Sequence, residues 1–186
     1  MAMHPDVQIK AQAEVDSVLH DNRLPDMEDQ QSMPYLQAVI KEVLRWRSVL
    51  PIGVPHASIE ENVYKGYRIP KGATIAMSND ENVYSNPECF DPSRFLDPST
   101  PEAPAFGFGR RSCPGIHFAQ AALFMIASGL IAFFDIHPKR DSEGHLIPLT
   151  ASMKENALVS QPTAFEVDIT PRSEKHKQAL QAWVGT

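Results

Sequence analysis

The sequence FGFGRRSCPG, from Phe106 to Gly115, places a cysteine in a glycine-rich loop just ahead of a long apolar segment. It holds three of the nine glycines and one of the two cysteines of the 186-residue chain. A thiolate is the form of cysteine that binds metals, and the N-terminus of a helix favours negative charge. Glycines also let backbone N–H groups approach a sulfur closely. The stretch therefore predicts a thiolate ligand, Cys113, at the start of a helix over residues 115–134.

The composition is that of an ordinary globular chain, and it argues against several classes of protein. Hydrophobic residues make up 42% and charged residues 22% of the sequence, close to the average for globular domains. The net charge of −6 argues against nucleic acid as the main partner. Two cysteines without a Cys-x-x-Cys pair are too few for a disulfide scaffold and argue against structural zinc. The apolar segment from Phe118 to Phe134 is short for a membrane span, so we expect a buried core helix and no transmembrane segment.

Apolar residues recur at helical spacing in two segments of the first 50 residues. Pro5 suits the first position of a helix over residues 5–20. The apolar face of this helix consists of Val7, Ala11, Val15, Val18 and Leu19. Ser32 is predicted to cap a second helix, with Pro34 in its first turn. The apolar stripe of the second helix consists of Leu36, Val39, Ile40, Val43 and Leu44.

The rest of the chain predicts short strands, loops and two further helices. Residues 52–77 alternate between apolar and polar with turn signals between them, which favours short strands. Residues 78–104 are dense in Pro, Asp, Asn and Ser and predict an ordered loop with one helical turn. Residues 146–170 predict one or two more strands, and the tail after Pro171 predicts a short helix. Together these elements indicate a mixed α and β fold, mainly α, with small sheets.

Three segments carry a resemblance to a known family. The order F-x-x-G-x-R-x-C-x-G, formed by five residues between Phe106 and Gly115, resembles the haem-binding signature of the cytochrome P-450 superfamily at every defining position. Residues Glu42 to Arg45 resemble the family's E-x-x-R motif on its K helix. The sequence FDPSRF is similar to the family's P-E-R-F element, with Ser93 in place of Glu and Arg94 kept. The resemblance covers about residues 5–170 and is closest to fungal members.

The resemblance implies haem b as the cofactor and a role for each matching residue. Cys113 would be the axial ligand of the haem iron. Arg111 and His56 would each hold a haem propionate, and Phe106 would pack beside the porphyrin. The other cofactor-binding positions of the loop are Gly109 and Gly115.

Glu42 and Arg45 leave two interpretations open at this point. They are three residues apart and therefore neighbours on a helix. The residues alone favour a solvated surface pair, because most such pairs are exposed. The resemblance implies instead that they meet Arg94 in a structural network, which pins the loop that leads to the ligand cysteine. Cys89, by contrast, is predicted to be a buried small hydrophobe with no role.

The resemblance implies a haem-thiolate monooxygenase. Such an enzyme inserts one oxygen atom of O₂ into a small, lipophilic organic substrate, with electrons that come from NADPH through NADPH–cytochrome P-450 reductase. Family members lie in the endoplasmic reticulum membrane facing the cytoplasm, and no anchor is expected in this chain. We expect residues 1–170 to form the C-terminal part of the P-450 domain, from the K helix to the last strands, and residues 171–186 to form a tail.

An alternative from another class is a non-enzymatic remnant. The family's I helix carries an acid–alcohol pair that delivers protons to bound oxygen, and no A-G-x-[DE]-T pattern for that helix occurs in this sequence. The chain is also much shorter than a complete member, so it resembles a truncated one. It would then bind haem weakly or not at all and would not turn over substrate.

Overall fold

The structure is a computed structural model that describes most of the chain. The described residues are 1–20, 23–50, 53–54, 56–72, 74–75, 83–107, 109–154 and 159–184. Their helices are α1 (Pro5–Val18), α2 (Pro34–Trp46), α3 (Ile116–Phe133) and α4 (Glu174–Val184). Their strands are β1 (His56–Ala57), β2 (Asn62–Tyr64), β3 (Tyr67–Ile69), β4 (Thr74–Ile75), β5 (Phe134–Pro138), β6 (Met153–Lys154), β7 (Gln161–Pro162) and β8 (Val167–Pro171). The mixed fold of helices and small sheets that the sequence predicts is confirmed.

The described strands pair into four antiparallel sheets of two strands each. The pairs are β1 with β4, β2 with β3, β5 with β8 and β6 with β7. The first two sheets lie within residues 52–77, where the sequence predicts short strands. β5 and β8 form the longest ladder, in which Ile136 lies opposite Ile169. The sequence does not predict β5, because it follows α3 directly and no turn residue separates Phe133 from Phe134.

The hydrophobic core lies where α1, α2 and α3 pack together. The buried cluster consists of Ala11, Val15, Leu19, Met33, Leu36, Phe124, Ile131, Ala132 and Phe133. The predicted apolar face of α1 is confirmed. Its buried members are Val7, Ala11, Val15 and Leu19. Burying a large apolar side chain contributes roughly 1.5–3 kcal/mol, so this cluster is a main source of stability for the described part of the chain.

The first turn of α2 is capped by a residue of another helix. The carboxylate of Glu14 in α1 accepts hydrogen bonds from the backbone N–H groups of Tyr35 and Leu36, each over 2.8 Å. An anion at a helix N-terminus also interacts favourably with the helix dipole. The predicted cap, Ser32, is wrong: it belongs to the preceding 3-10 turn and makes no cap hydrogen bond. The contact from Glu14 supplies the acceptors that a serine cap would otherwise provide.

Helix α2 is buried on two sides rather than one. Leu36 and Val39 are buried as the apolar stripe predicts, but Val43, a member of the same stripe, is 48% exposed. The second buried side carries Glu42 and Arg45. The stripe is therefore only partly correct, because a buried ion pair occupies positions that hydrophobicity assigns to solvent.

Two buried glutamines of α1 hold the start of the β5–β8 sheet. The side-chain amide of Gln12 donates to a carboxylate oxygen of Asp135 over 2.8 Å. The side-chain carbonyl of Gln8 accepts from the backbone N–H of Ile136 over 3.1 Å. Buried polar groups are costly unless they are hydrogen-bonded, and here each glutamine satisfies a partner in β5. The strand that follows α3 is thereby fixed against α1.

The segment after Pro171 forms α4, so the predicted short helix is confirmed. The helix packs on the core, where the rings of Phe133 and Trp183 meet edge to face with centroids 4.9 Å apart. Just before it, Arg172 donates to both carboxylate oxygens of Asp16 over 2.7 and 2.6 Å. These contacts join the tail to α3 and α1.

We expect Asp29→Asn to lower the free energy of unfolding by about 1–2 kcal/mol, because Asp29 accepts charge-assisted hydrogen bonds. Its carboxylate is nearly buried and binds both terminal nitrogens of Arg23 and the backbone N–H of Asp26. The hydrogen bond from Arg23 holds the pKa of Asp29 below its usual value. A lowered carboxyl pKa contributes stability that is present above the unfolded value, about 3.9, and is lost as the pH falls through the folded value.

Urea unfolding of the wild-type chain and of Asp29→Asn between pH 3 and pH 7 measures this effect. The difference in unfolding free energy should be constant above about pH 5 and should shrink below about pH 4. A difference that does not change with pH would show that the Asp29 charge contributes nothing.

Candidate active site around Cys113

The Cys113 loop closes on itself through backbone hydrogen bonds. The N–H of Cys113 donates to the carbonyl of Phe106 over 2.8 Å, and the N–H of Ser112 donates to the carbonyl of Gly109 over 3.2 Å. Gly109 has a φ of +59°, in the left-handed region that favours glycine. Helix α3 begins directly after the loop, so the predicted helix is confirmed. The cysteine lies at the N-terminal end of this helix.

The sulfur of Cys113 is open to solvent. Its thiol is exposed, and a Cβ added to Gly115 would lie 3.8 Å from the sulfur, an ordinary contact distance. No described residue donates a hydrogen bond to the sulfur, which differs from the amide contacts that the glycines predict. The reason is that the N–H groups of Ser112, Cys113 and Ile116 donate to carbonyls of the loop. A ligand can therefore approach the sulfur from the solvent side.

The side chains of this loop fit the groups that haem presents. Haem offers an iron, which a cysteine thiolate can bind, and two propionates, which guanidinium groups bind by charge-assisted hydrogen bonds. Cys113 and Arg111 are both exposed, and Arg111 ends the short 3-10 turn that begins at Gly109. One loop thus presents an accessible sulfur and an accessible cation two residues apart.

Phe106 lies at the base of the loop and is half-buried. It forms part of the wall of a cavity of about 450 Å³ between α2, α3 and residues 102–107. Other apolar side chains of this wall are Ile40, Leu44 and Ile116. The contact of Phe106 with a porphyrin stays a prediction.

His56 is placed by its backbone alone. It lies in β1, opposite Ile75 of β4, and its side chain lies outside the part of the chain that the structure describes. The two-residue ladder fixes where the backbone of His56 runs, at the start of the small sheets that follow α2. Its role as a second propionate-binding residue stays a prediction.

Glu42 and Arg45 form a buried ion pair on α2. The two carboxylate oxygens of Glu42 accept from Nε and from a terminal nitrogen of Arg45 over 2.7 and 2.8 Å, and both side chains are 0% exposed. The hydrogen bond to Glu42 raises the pKa of Arg45 above its usual value. The alternative of a solvated surface pair is therefore wrong. In a buried ion pair, removing one partner strongly destabilises the fold, because it leaves the other charge buried and uncompensated.

Arg94 lies against the same carboxylate from the other side. Its Nε atom is 3.2 Å from a carboxylate oxygen of Glu42, close enough for an ion pair but not aligned for a hydrogen bond. The backbone N–H of Asp91 donates to the other carboxylate oxygen, Oε1, which also accepts from Arg45, over 2.8 Å. Glu42 thus lies between two guanidinium groups and also holds the turn that carries Arg94.

The two arginines satisfy backbone carbonyls of the loop between residues 85 and 91. Arg45 donates to the carbonyls of Pro87 and Cys89 over 2.9 and 3.2 Å. Arg94 donates to the carbonyls of Ser85 and Cys89 over 3.0 and 3.3 Å. Carbonyls of an irregular loop have no partner from a helix or a sheet ladder, and the two arginines supply one. The network therefore gives this loop a fixed conformation against α2.

Two aromatic residues complete the network, and the sequence did not single them out. Tyr84 is 5% exposed, lies with its ring centroid 5.4 Å from the guanidinium carbon of Arg45, and donates its hydroxyl to the carbonyl of Pro101 over 2.9 Å. Burial raises the pKa of Tyr84. Trp46 donates its indole N–H to the carbonyl of Glu88 over 2.9 Å. The contacts of Arg45 with Tyr84 and of Trp46 with Glu88 join positions about 40 residues apart, which local patterns do not reveal.

Cys89 is exposed, so the prediction of a buried small hydrophobe is wrong. Its backbone carbonyl is occupied by Arg45 and Arg94, which holds this part of the loop at the surface of α2. No group of three or more metal-ligating side chains occurs among the described residues.

Helix α3 is long and apolar enough to cross a membrane by length and composition alone. A core helix of a soluble protein meets the same criterion. One side of α3 does belong to the core, since Phe124 and Ile131 are buried against α1 and α2. The prediction of a core helix therefore agrees with the contacts on that side.

Comparison with known proteins identifies the family. The family model for cytochrome P-450 matches residues 1–167. The cytochrome P-450 monooxygenase COX1 of Coprinopsis cinerea is 44% identical over an alignment of 193 residues. The alignment covers 97% of this chain and 37% of COX1. The cytochrome P-450 monooxygenase ple1 of Rhodocybe pseudopiperita is 42% identical over 195 residues, 98% of this chain and 37% of ple1.

The fold is also that of solved members of the family. A zebrafish cytochrome P-450 solved with abiraterone superimposes with a TM-score of 0.77 at 33% identity, over 92% of this chain and 41% of its own. The chain thus spans less than half the length of the relatives that it matches. The resemblance seen in the sequence is confirmed, and the chain belongs to the cytochrome P-450 family.

Proposed function

We propose that this chain is the haem-ligating C-terminal part of a cytochrome P-450 monooxygenase. The observation that carries the proposal is the exposed sulfur of Cys113 at the N-terminal end of α3, in a loop that has all five positions of the family's haem signature. The relatives of this chain are named monooxygenases. The cofactor that fits this loop is haem b.

The chain's own residues would bind and orient the cofactor. Cys113 would supply a thiolate, and Arg111 and His56 would bind the two propionates, which together fix the plane of the ring. Phe106 would pack beside the porphyrin. When bound, haem supplies an iron at which O₂ is reduced, and thiolate ligation favours O–O cleavage.

The buried charge network of Glu42, Arg45 and Arg94, here called the Glu42 network, would act as a positioning element for this site. It holds residues 85–94 through hydrogen bonds to their carbonyls and N–H groups, and residues 95–112 connect that segment to Cys113. A ligand residue needs to be held within a fraction of an ångström of its productive position. Fixing the segment ahead of the loop limits where Cys113 can lie.

The substrate class we propose is a small lipophilic molecule, with electrons that come from NADPH through NADPH–cytochrome P-450 reductase. Solved zebrafish relatives were obtained with abiraterone and with progesterone, both of which are lipophilic. The net charge of −6 leaves nucleic acid an unfavourable partner.

The alternative of a non-enzymatic remnant is favoured by one observation: Cys113, the proposed ligand at the reaction centre, is exposed to solvent. A reaction centre that water can reach would protonate reduced oxygen without control, and it would release peroxide rather than oxidised product.

We expect the isolated chain to take up haem and to form no oxidised product. Haem content by absorption and product by mass spectrometry are measured in one preparation with NADPH, the reductase and a panel of lipophilic substrates, with COX1 as the positive control. Haem uptake without product supports both haem ligation by this chain and the inactivity of the isolated chain. No haem uptake would overturn haem ligation, and coupled product formation would overturn the inactivity of the isolated chain.

A further inference from the structure

The hydroxyl of Tyr84 binds the stretch of chain that leads to the cysteine loop. Its side chain is buried, and the hydroxyl donates to the carbonyl of Pro101 over 2.9 Å. The Glu42 network holds the chain as far as Arg94, and residues 95–112 connect Arg94 to Cys113. The Tyr84 hydroxyl therefore holds a point within that connection.

Two side chains fix the ring of Tyr84. The guanidinium carbon of Arg45 lies 5.4 Å from the ring centroid, and Arg45 is itself bound to Glu42 over 2.7 Å. The ring of Phe95 lies 6.3 Å from the same centroid, at an angle of 56°. The hydroxyl therefore has a defined position, and a buried tyrosine hydroxyl needs a partner such as the carbonyl of Pro101.

From Pro101 the chain reaches the cysteine through closed turns. The N–H of Gly107 donates to the carbonyl of Pro104 over 2.9 Å, and the N–H of Cys113 donates to the carbonyl of Phe106 over 2.8 Å. Hydrogen-bonded turns fix backbone dihedrals and so remove conformational freedom from the connection. A displacement of Pro101 therefore also displaces the loop that carries Cys113.

A second tether in this stretch is exposed. Lys41 of α2 and Glu102 form an ion pair over 2.7 Å, with side chains that are 39% and 59% exposed. Exposed ion pairs contribute little, because water and salt screen them. Of these two tethers, the buried hydrogen bond of Tyr84 is the one that we expect to restrain residues 101 and 102.

We propose that Tyr84 is a positioning residue for the haem ligand, which restrains the Cys113 loop through the hydrogen bond of its hydroxyl to Pro101. The inference rests on the proposed function, because Cys113 has to bind haem before its position affects that binding. It adds a residue that belongs to none of the three sequence motifs that carry the family resemblance.

The test is a double-mutant cycle with Cys113. Tyr84→Phe removes the hydroxyl and keeps the ring, and it is measured in the wild-type chain and in Cys113→Ala. Tyr67→Phe is the matched control, because it removes a hydroxyl from a tyrosine of β3 that is 77% exposed. Haem titration gives the affinity, and the carbon monoxide band of the reduced protein gives the share of bound haem with a thiolate ligand. Circular dichroism checks that each variant folds.

We expect Tyr84→Phe to weaken haem binding by about two- to tenfold in the wild-type chain, since a tether contributes no more than the free energy of its own hydrogen bond. The share of thiolate-ligated haem should fall as well. In Cys113→Ala the same change should leave the haem affinity unaltered, because no ligand remains to be positioned. Tyr67→Phe should change the affinity of neither chain.

An equal loss of affinity in both chains, as general loosening of the fold would cause, would overturn the role of Tyr84, and so would no loss in either chain. Failure of Tyr84→Phe to fold would likewise assign the hydroxyl a structural role instead. Haem affinity that does not depend on Cys113 at all is a different outcome, since it would overturn the proposed function and this inference with it.

Discussion

Replacing Cys113 by alanine is expected to weaken haem binding at least about tenfold. Loss of a residue that merely orients a metal ligand already costs 10–100-fold in metal affinity, and the alanine variant removes the proposed ligand itself. Titration with haem, followed by absorption, measures the change. Cys89→Ala is the matched control, because both cysteines are free and exposed.

Only the Cys113 variant should lose affinity. Haem that binds through apolar surface alone would bind equally to the wild-type chain and to both variants. Equal affinities would therefore show that Cys113 is not the ligand. A loss in Cys89→Ala alone would move the ligand to the other cysteine.

Replacing Glu42 by alanine is expected to lower the free energy of unfolding by roughly 3–5 kcal/mol, the cost of leaving a buried charge without its partner. The variant would leave Arg45 buried and uncompensated, and it would remove the acceptor of the Asp91 N–H. Urea denaturation measures the change. Glu102→Ala is the control, since Glu102 also binds a cation, Lys41 over 2.7 Å, but is 59% exposed.

The control should stay within about 0.5 kcal/mol of the wild-type chain, as exposed pairs contribute little. A change of that small size for Glu42→Ala would contradict a structural role for the network. If Glu42→Ala yields no soluble protein, Glu42→Gln keeps the size and one acceptor, so it should fold with a smaller loss of stability.

Local patterns predicted the helices well because their physical causes are local. Pro5 and the apolar spacing after it define α1, and the apolar run after Cys113 defines α3. The cap of α2 was not predictable in this way. Ser32 has the right chemistry, but the N-cap position of α2 is Met33. Glu14 supplies the acceptors from another helix, and no local pattern encodes that contact.

In the candidate site, too, the features with local causes were predictable from the sequence and those that depend on distant contacts were not. The order of residues from Phe106 to Gly115 was enough to single out Cys113, because a ligand loop is a contiguous segment. The burial of Arg45 was not evident from the residues alone, since it depends on carbonyls more than 40 positions later. The prediction for Cys89 failed in the opposite direction. Free cysteines are usually buried, which favoured the interior, whereas Cys89 is exposed and its carbonyl is held by Arg45 and Arg94.

The most direct test of haem ligation by this chain is the absorption spectrum of the haem-reconstituted wild-type protein after reduction and treatment with carbon monoxide. Thiolate-ligated haem shows a red-shifted carbon monoxide band, and we expect that band in the wild-type chain and in Cys89→Ala. A wild-type chain that takes up haem but lacks the red-shifted band would contradict ligation by Cys113.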